Sequence, residues 1–317
     1  MRIYTITLNP AYDAHAFAEH FEPFHENLAQ MQSREAGGKG VNISRALISA
    51  GVFNTAVILL GRDNASDFKE ELADSGIELM LFEKPGRIRE NLTLHTVGAP
   101  ETRISFDGFR VSDSALDEIA NELAVDDDTV ITMTGRVATG MSMEKVKVFL
   151  KALQAKGARI VVDSRSFQCE DIFQVAPWLI KPNQEEISQY LGKQVDTIPQ
   201  AVEAARIFAE KGVENVMVSM GAQGAILISG GRIWAATTPQ IKICSTIGAG
   251  DSSVAGFVAA AAQGESVELC LKRAMAFGTA ACLTEGTKPP AKEDILRIYE
   301  QITVEEVTAR YANPAEA

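Results

Sequence analysis

Cysteine is scarce and scattered in this chain: Cys169, Cys244, Cys270 and Cys282 are the whole complement of 317 residues, and no two stand in a CxxC pair. That spacing argues against a disulfide framework and leaves four small apolar side chains suited to a reducing compartment. Basic residues are in deficit, with 30 Lys and Arg against 42 Asp and Glu, a formal charge of -12. A phosphate-backbone binder presents a basic face, so nucleic acid is not an expected partner. No apolar run is long enough to span a membrane, and Met1 to Pro10 carries no basic stretch followed by a long apolar one. A soluble cytoplasmic protein is the default expectation. Histidine is limited to His15, His20, His25 and His95. None forms an HExxH pair, and the first three are five apart, off a common helical face, which argues against a zinc site. A GxSxG elbow, a GxxxxGK[ST] loop and a complete GxGxxG string are also missing, so neither a serine hydrolase nor either common nucleotide fingerprint is indicated.

What is present is enough apolar residue, 46%, to bury a large core as one extended domain or one domain with a smaller appendage. Short β-branched runs at Ile3–Leu8, Thr55–Leu60, Ile77–Phe82, Val130–Met133, Arg159–Val162 and Val216–Ser219 alternate with helical patterns. Those patterns lie near Val41–Ile48, Ala65–Asp74, Met143–Ala155 and Ala201–Glu210. This rhythm predicts βαβ units and a mainly parallel sheet. Two stretches break it. Ala11 to Ala36 mixes aromatics with charges and reads as an irregular excursion or outlying strands. Asn91–Val97 and Glu101–Phe106 alternate without an intervening helix and read as a hairpin that stands apart as a second layer or lid. A hairpin is also expected across Gly230-Gly231. Helices are expected over Ser252–Ala262, Leu269–Leu283 and Lys292–Ile302, with a tail from Ala309 that has little to pack.

Five strings carry chemical content. Gly248-Ala249-Gly250-Asp251 opens an apolar helix; the glycines permit close backbone approach, and the first N–H groups of a helix favour a phosphoryl oxygen. Asp251 suits acceptance of a hydroxyl proton, and it equally suits an inert N-cap. Gly37-Gly38-Lys39-Gly40-Val41-Asn42 offers backbone approach, a cation and an amide before another helix, which fits a polyhydroxylated phosphate ester or a tight turn with a wet lysine. Asp13 follows the first strand, where an acid can bind sugar hydroxyls and equally can be a turn acid. Lys181-Pro182-Asn183-Gln184-Glu185-Glu186 has the form of an Asn-led capping box, and its carboxylate also suits a water of hydrated Mg²⁺. Arg89 and Asn91 enter the hairpin, where the arginine fork suits a phosphate and equally suits an exposed position on a wet strand.

Taken in order, NPAYD, AGGKGVN, KPNQEE, SMGAQGA and TIGAGDSSVAG resemble the ribokinase-like (PfkB) carbohydrate kinase superfamily, in its 1-phosphofructokinase and tagatose-6-phosphate kinase branch, from about Arg2 to Tyr299. The resemblance implies an α/β fold, a three-layer α/β/α sandwich with a small β-sheet lid. The kinase domain would run over 1–311, with lid segments about 11–35 and 88–110 and a frayed 312–317. It implies ATP and Mg²⁺ as cofactors, a sugar phosphate as substrate and a homodimer through the lid. It casts Asp251 as the base, with the backbone of Gly248, Ala249, Gly250 and Asp251 as an anion hole. Asp13, Gly37, Gly38, Lys39, Asn42 and Arg89 become sugar-phosphate contacts. Lys181, Asn183, Glu186, Ser219, Gly221, Gly224 and Thr246 fall in the nucleotide and magnesium region, with Glu186 reaching the metal through water. NPAYD, Phe106-Asp107-Gly108-Phe109 and Ala176-Pro177-Trp178-Leu179 lean toward the branch that acts on fructose 1-phosphate. Two departures stand out. The loop Thr134-Gly135-Arg136-Val137-Ala138 carries Arg136 and Ala138 where the branch usually has Ser and Pro, which makes Arg136 a further phosphate contact or a narrowing of the pocket. Glu26-Asn27 supplies no lid cation.

Overall fold

The structure is a computed structural model that describes residues 1–311; the expected frayed segment 312–317 lies outside the described residues. The chain runs β1 (Arg2–Thr7), β2 (Ala11–Ala18), β3 (Gln30–Gly37), α1 (Lys39–Ser49), β4 (Thr55–Gly61), α2 (Ser66–Ala73), β5 (Glu78–Lys84), β6 (Arg89–Thr96) and β7 (Thr102–Ser105). It continues through α3 (Ser114–Glu122), β8 (Thr129–Thr134), α4 (Met143–Ala155), β9 (Arg159–Asp163), α5 (Cys169–Val175), β10 (Leu179–Ile180), α6 (Gln184–Leu191), α7 (Ile198–Glu210) and β11 (Asn215–Ser219). The last third is β12 (Ala225–Ser229), β13 (Arg232–Ala236), α8 (Ala249–Ala262), α9 (Val267–Ala281), α10 (Lys292–Gln301) and β14 (Val304–Glu306).

Ten strands form one sheet in the order β14-β13-β12-β11-β10-β9-β8-β1-β4-β5. It is parallel from β11 to β5 and antiparallel from β11 out to β14. Alternation along each strand divides its side chains between two helical layers, as a two-residue period requires. Tyr4, Ile6, Ile131, Met133, Ile160, Val162, Val216 and Val218 pack with residues of α3, α4, α5, α6 and α7. Ile3, Val130, Val161, Leu179 and Met217 pack with α1, α8, α9 and α10. The result is the α/β/α sandwich that the resemblance implies, built on the mainly parallel sheet that the alternation predicts. Because the chain leaves β1 toward β4 and β5 and later returns to its other side at β8, the order reverses between β1 and β8. A crevice at the carboxyl ends of strands is the ligand position such a reversal creates.

Ala11 to Ala36 resolves in favour of strands. β2 and β3 join β6 and β7 in a second sheet, ordered β3-β2-β6-β7. The expected hairpin is its β6-β7 edge, and β2 pairs with β6 in parallel. Sequence periodicity does not show this, because the parallel partners come from distant segments. α3 and α5 are short and lack the long apolar stripe that marks α4, where Val146, Phe149, Leu150 and Leu153 are buried. The expectation that the chain has little to pack from Ala309 is corrected. Thr308–Tyr311 forms a 3₁₀ turn, Tyr311 packs against the core, and its carbonyl accepts from Arg206.

α8 and α9 cross closely at Gly256. A Cβ there would lie 2.6 Å from the Arg273 carbonyl oxygen and 2.9 Å from the Phe277 ring. Overpacking of this kind costs on the order of 1–3 kcal/mol, so Gly256→Ala is expected to lower the urea midpoint with the m-value unchanged. An unchanged midpoint would contradict the close crossing.

Candidate active site

The helix opened by the glycine string starts at Ala249. Gly248, at φ 79°, is its N-cap, and Asp251 lies in the first turn. Asp251 is therefore not the capping residue, and its side chain is available for something else. It is buried, with 6% exposure, and its Oδ2 accepts a 2.9 Å hydrogen bond from Asn42 Nδ2. Burial pushes its carboxyl up to about 6 against the pull of Lys39, and the nearby Asp163 pushes the same way. A carboxylate tuned toward neutrality is suited to take up a proton near pH 7.

Across α1, Lys39 Nζ donates to Asp163 Oδ2 at 3.1 Å. Asp163 ends β9 and is 5% exposed. Burial alone would raise its carboxyl, yet Lys39 and then Lys181 hold it below the usual range. Lys39 is itself held above its ordinary value: burial works against its charge, and Asp163, Asp251 and Glu186 outweigh that.

β2 and β6 supply the opposite wall. Asp13 Oδ1 accepts from Asn91 Nδ2 at 2.8 Å, and Asn91 Oδ1 accepts from Arg89 at 2.8 Å. Desolvation raises the Asp13 carboxyl, against Asn91 and Arg89. Gly37 permits this packing, since a Cβ would stand 2.2 Å from Asp13 Oδ2. Gly38 follows as the N-cap of α1. Arg136 lies exposed on the loop after β8. Burial lowers the Arg89 guanidinium pKa, and Arg136 beside it lowers it further. Asp13 and Asp107 offset part of that repulsion, and Arg89 Nε and Asn42 Oδ1 are both buried without partners. Orphaned groups of this kind are what a polar ligand satisfies.

On the other side of α8 a cleft of about 1160 Å³ is lined by residues including Lys181, Asn183, Ser219, Thr246, Ala249 and Gly250, with Gly221 and Gly224 on the same wall. Lys181 is 4% exposed, and its Nζ lies 3.2 Å from where a Cβ on Gly250 would stand. The cleft thus meets the acidic and basic cluster at the first turn of α8. Asn183 and Glu186 form the expected capping box: Asn183 Oδ1 accepts from Glu186 N at 2.8 Å and Glu186 Oε2 from Asn183 N at 3.1 Å. Glu186 does not line the cleft.

Asp163 is the functional candidate missing from the motif-based set, although it carries a sequence signal, an acid at the carboxyl end of a strand. Asp13, expected just past the first strand, instead stands third in the lid strand β2, and Asn91 sits two residues from Arg89 on one face of β6. Among the described residues no group of three His, Cys, Asp or Glu is arranged to hold a metal, and no helix is long and apolar enough to cross a membrane.

The model of the pfkB family carbohydrate kinases matches residues 6–294. The chain belongs to that family. It is 30% identical over 282 residues to the 1-phosphofructokinase of Escherichia coli K12, covering 88% of this chain and 90% of that one. The 1-phosphofructokinase of Vibrio cholerae serotype O1 is 30% identical over 306 residues, 96% of each chain. Among solved structures, phosphofructokinase-2 from Escherichia coli in complex with substrates and products superposes with a TM-score of 0.87 at 27% identity, over 95% of this chain and 99% of that one. This pfkB-family kinase is a phosphotransferase with an alcohol acceptor. Family membership therefore gives the α8 turn and the adjoining cleft a reaction class.

Proposed function

We propose that this kinase transfers the terminal phosphoryl group of ATP to a hydroxyl of a ketohexose monophosphate. The observation that carries the reading is the buried Asp251, set where the acceptor cluster meets the cleft at the N-terminal turn of α8. In the reaction the acceptor oxygen bonds to the γ-phosphorus, the bond to the β,γ-bridging oxygen breaks, Asp251 takes the hydroxyl proton and ADP leaves. The backbone N–H groups of Gly248, Gly250 and Asp251 face the transferring group as an anion hole, since a helix N-terminus has unpaired donors and a favourable dipole, and Ala249 N joins them by giving up its long 3.4 Å bond to the Thr246 carbonyl. Lys39, Arg89 and Arg136 hold the substrate phosphate, with the backbone of Gly37 and Gly38 beside it, and Asp13 and Asn42 hold hydroxyls. Lys181, Asn183, Ser219, Gly221, Gly224 and Thr246 hold the nucleotide.

Bound Mg²⁺ neutralises charge on the phosphates. A carboxylate has about four acceptor sites, and Glu186 uses its oxygens for Asn183 N and Arg165 Nε. It keeps acceptor capacity for a metal-bound water, which fits a magnesium ion that retains part of its hydration.

Two acceptors have separate support. The relatives named for 1-phosphofructokinase favour fructose 1-phosphate, with fructose 1,6-bisphosphate as product. The high superposition on phosphofructokinase-2, one form of which is in complex with fructose-6-phosphate, favours a 6-phosphate ester, fructose or tagatose. A coupled ADP-release screen over fructose 1-phosphate, fructose 6-phosphate, tagatose 6-phosphate, ribose and nucleosides ranks them. Turnover with the phosphate esters above the others is expected. Sugar-phosphate binding without ADP would instead mark a regulatory binding protein. Arg136→Ser is expected to change the ranking by about 10-fold, the worth of one charge-assisted hydrogen bond. An unchanged ranking removes Arg136 from specificity.

The lid supports a homodimer reading. Met31 on β3, Phe24 and Leu28 on the loop before it, and Ile104 on and Phe106 just after β7 are exposed, which leaves apolar side chains at both edges of the lid sheet, and exposed apolar surface of this kind marks an interaction site. A dimer in sedimentation is expected; a monomer independent of concentration would reject it. The free cysteines suit a reducing cytoplasmic setting.

A further inference from the structure

Asp163 touches both halves of the site while belonging to neither. Its carboxylate is buried, accepts from Lys39 Nζ at 3.1 Å, and also feels Lys181 across the cleft wall. Its backbone carbonyl accepts from Gly135 N at 3.1 Å, so the strand end is fixed against the Arg136 loop. Lys39 is close enough to Asp251 to stabilise its charge, yet its direct hydrogen bond goes to Asp163. Asp251 instead takes the Asn42 amide. One ammonium thus stands between two buried carboxylates and is committed to one of them.

We infer that Asp163 is a positioning residue that tethers Lys39 away from Asp251, so that the base stays free of an ion pair and Lys39 is held toward the acceptor. This rests on the reading of Asp251 as the base. Without the tether, Lys39 turns to the remaining buried carboxylate, because a buried cation seeks a counter-charge. The charged groups facing Asp251 are Lys39 from α1, Asp163 from β9 and Lys181 after β10, with Glu186 of α6 and Arg165 behind them, coupled to Lys39 and Asp163. Removing the Asp163 charge and bringing Lys39 into contact act in the same direction on Asp251, and both favour its ionised form. Removing Lys39 acts in the opposite direction.

The test compares Asp163→Asn, Lys39→Met and the double variant. The ascending limb of kcat/KM against pH is expected near 6 in the wild type. In Asp163→Asn it moves down by roughly 1 to 3 pH units, the effect of a newly contacting opposite charge, and kcat falls. In Lys39→Met it moves up. The double variant lies between the two, because the cation that would move is gone. Where activity is too low for a profile, the same titration is read from unfolding free energies against pH, with and without Asp251→Asn, whose difference isolates Asp251. A limb or midpoint in Asp163→Asn that stays at the wild-type pH, in a folded protein, overturns the inference. Near-normal turnover in Asp251→Asn is a separate result; it removes the base assignment and leaves the tether to be judged by the unfolding titration.

Discussion

Asp251→Asn is expected to lower kcat by about 100-fold or more, the scale of general-base transfer, while making the protein more stable above neutral pH. The first effect follows from an amide that cannot take the acceptor proton. The second follows from linkage. Asp251 sits at about 6 in the folded chain against an ordinary value of 3.8, so between those pH values the folded state binds the proton that the unfolded state has released. Stability then falls as pH rises through that window, and the loss is complete above it. Asn has no proton to lose. The variant should therefore match the wild type below about pH 4 and gain on the order of 1–3 kcal/mol above pH 7. Chemical denaturation at the two ends of the range checks the sign. The same titration predicts that wild-type kcat/KM rises with pH through about 6. Activity lost with no gain in stability would mean that Asp251 is not buried as described.

The second large effect is at Lys39, and there activity and stability fall together. Lys39→Met leaves the buried Asp163 without its hydrogen-bonded cation, with only the charges of Lys181 and Arg165 acting on it. Breaking a buried pair by removing one partner costs about 3–5 kcal/mol. Lys39 keeps 31% of its side chain exposed, which brings the expected loss to about 2–4 kcal/mol once solvent screening is allowed for. If Lys39 also holds the acceptor phosphate, kcat/KM should fall by about 10- to 150-fold, the worth of a hydrogen bond to a charged group. Initial rates over a range of acceptor concentration, with a urea titration of the same sample, separate the two losses. A variant that is destabilised yet binds acceptor normally would confine Lys39 to structure.

The contrast between these residues shows what was legible in the sequence. The βαβ units and the mainly parallel sheet could be read from alternating strands and helical stripes because burial imposes periods of two and 3.6 on neighbouring residues, and the three-layer sandwich followed from the resemblance. The capping box at Asn183 and Glu186 was legible for the same local reason. The site depends on distance along the chain. Lys39 meets Asp163 across 124 positions and Asn42 meets Asp251 across 209. No periodicity encodes such pairs, so the motif order supplied Asp251, Lys39 and Asn42 by resemblance, while Asp163, just past the Arg159–Val162 run, belongs to none of the five strings. The lid shows the same limit. The hairpin of β6 and β7 is local and was visible, but the parallel pairing of β2 with β6 is not. Arg136 was visible as a departure from the pattern. Its charge acts on the half-buried Arg89, and that gives the departure a chemical meaning, since an anionic ligand would relieve the repulsion between the two guanidinium groups.

The account turns on phosphoryl transfer to a sugar phosphate with Asp251 as the acceptor of the proton. Phosphorus NMR of the wild type with ATP, Mg²⁺ and a ketohexose monophosphate tests it most directly. The account predicts that the γ-phosphate resonance is lost in step with one new phosphomonoester resonance on the sugar, one ADP for each, and that both changes slow by about 100-fold or more in Asp251→Asn. Release of inorganic phosphate with the sugar phosphate unchanged, or equal rates in the two proteins, would contradict it.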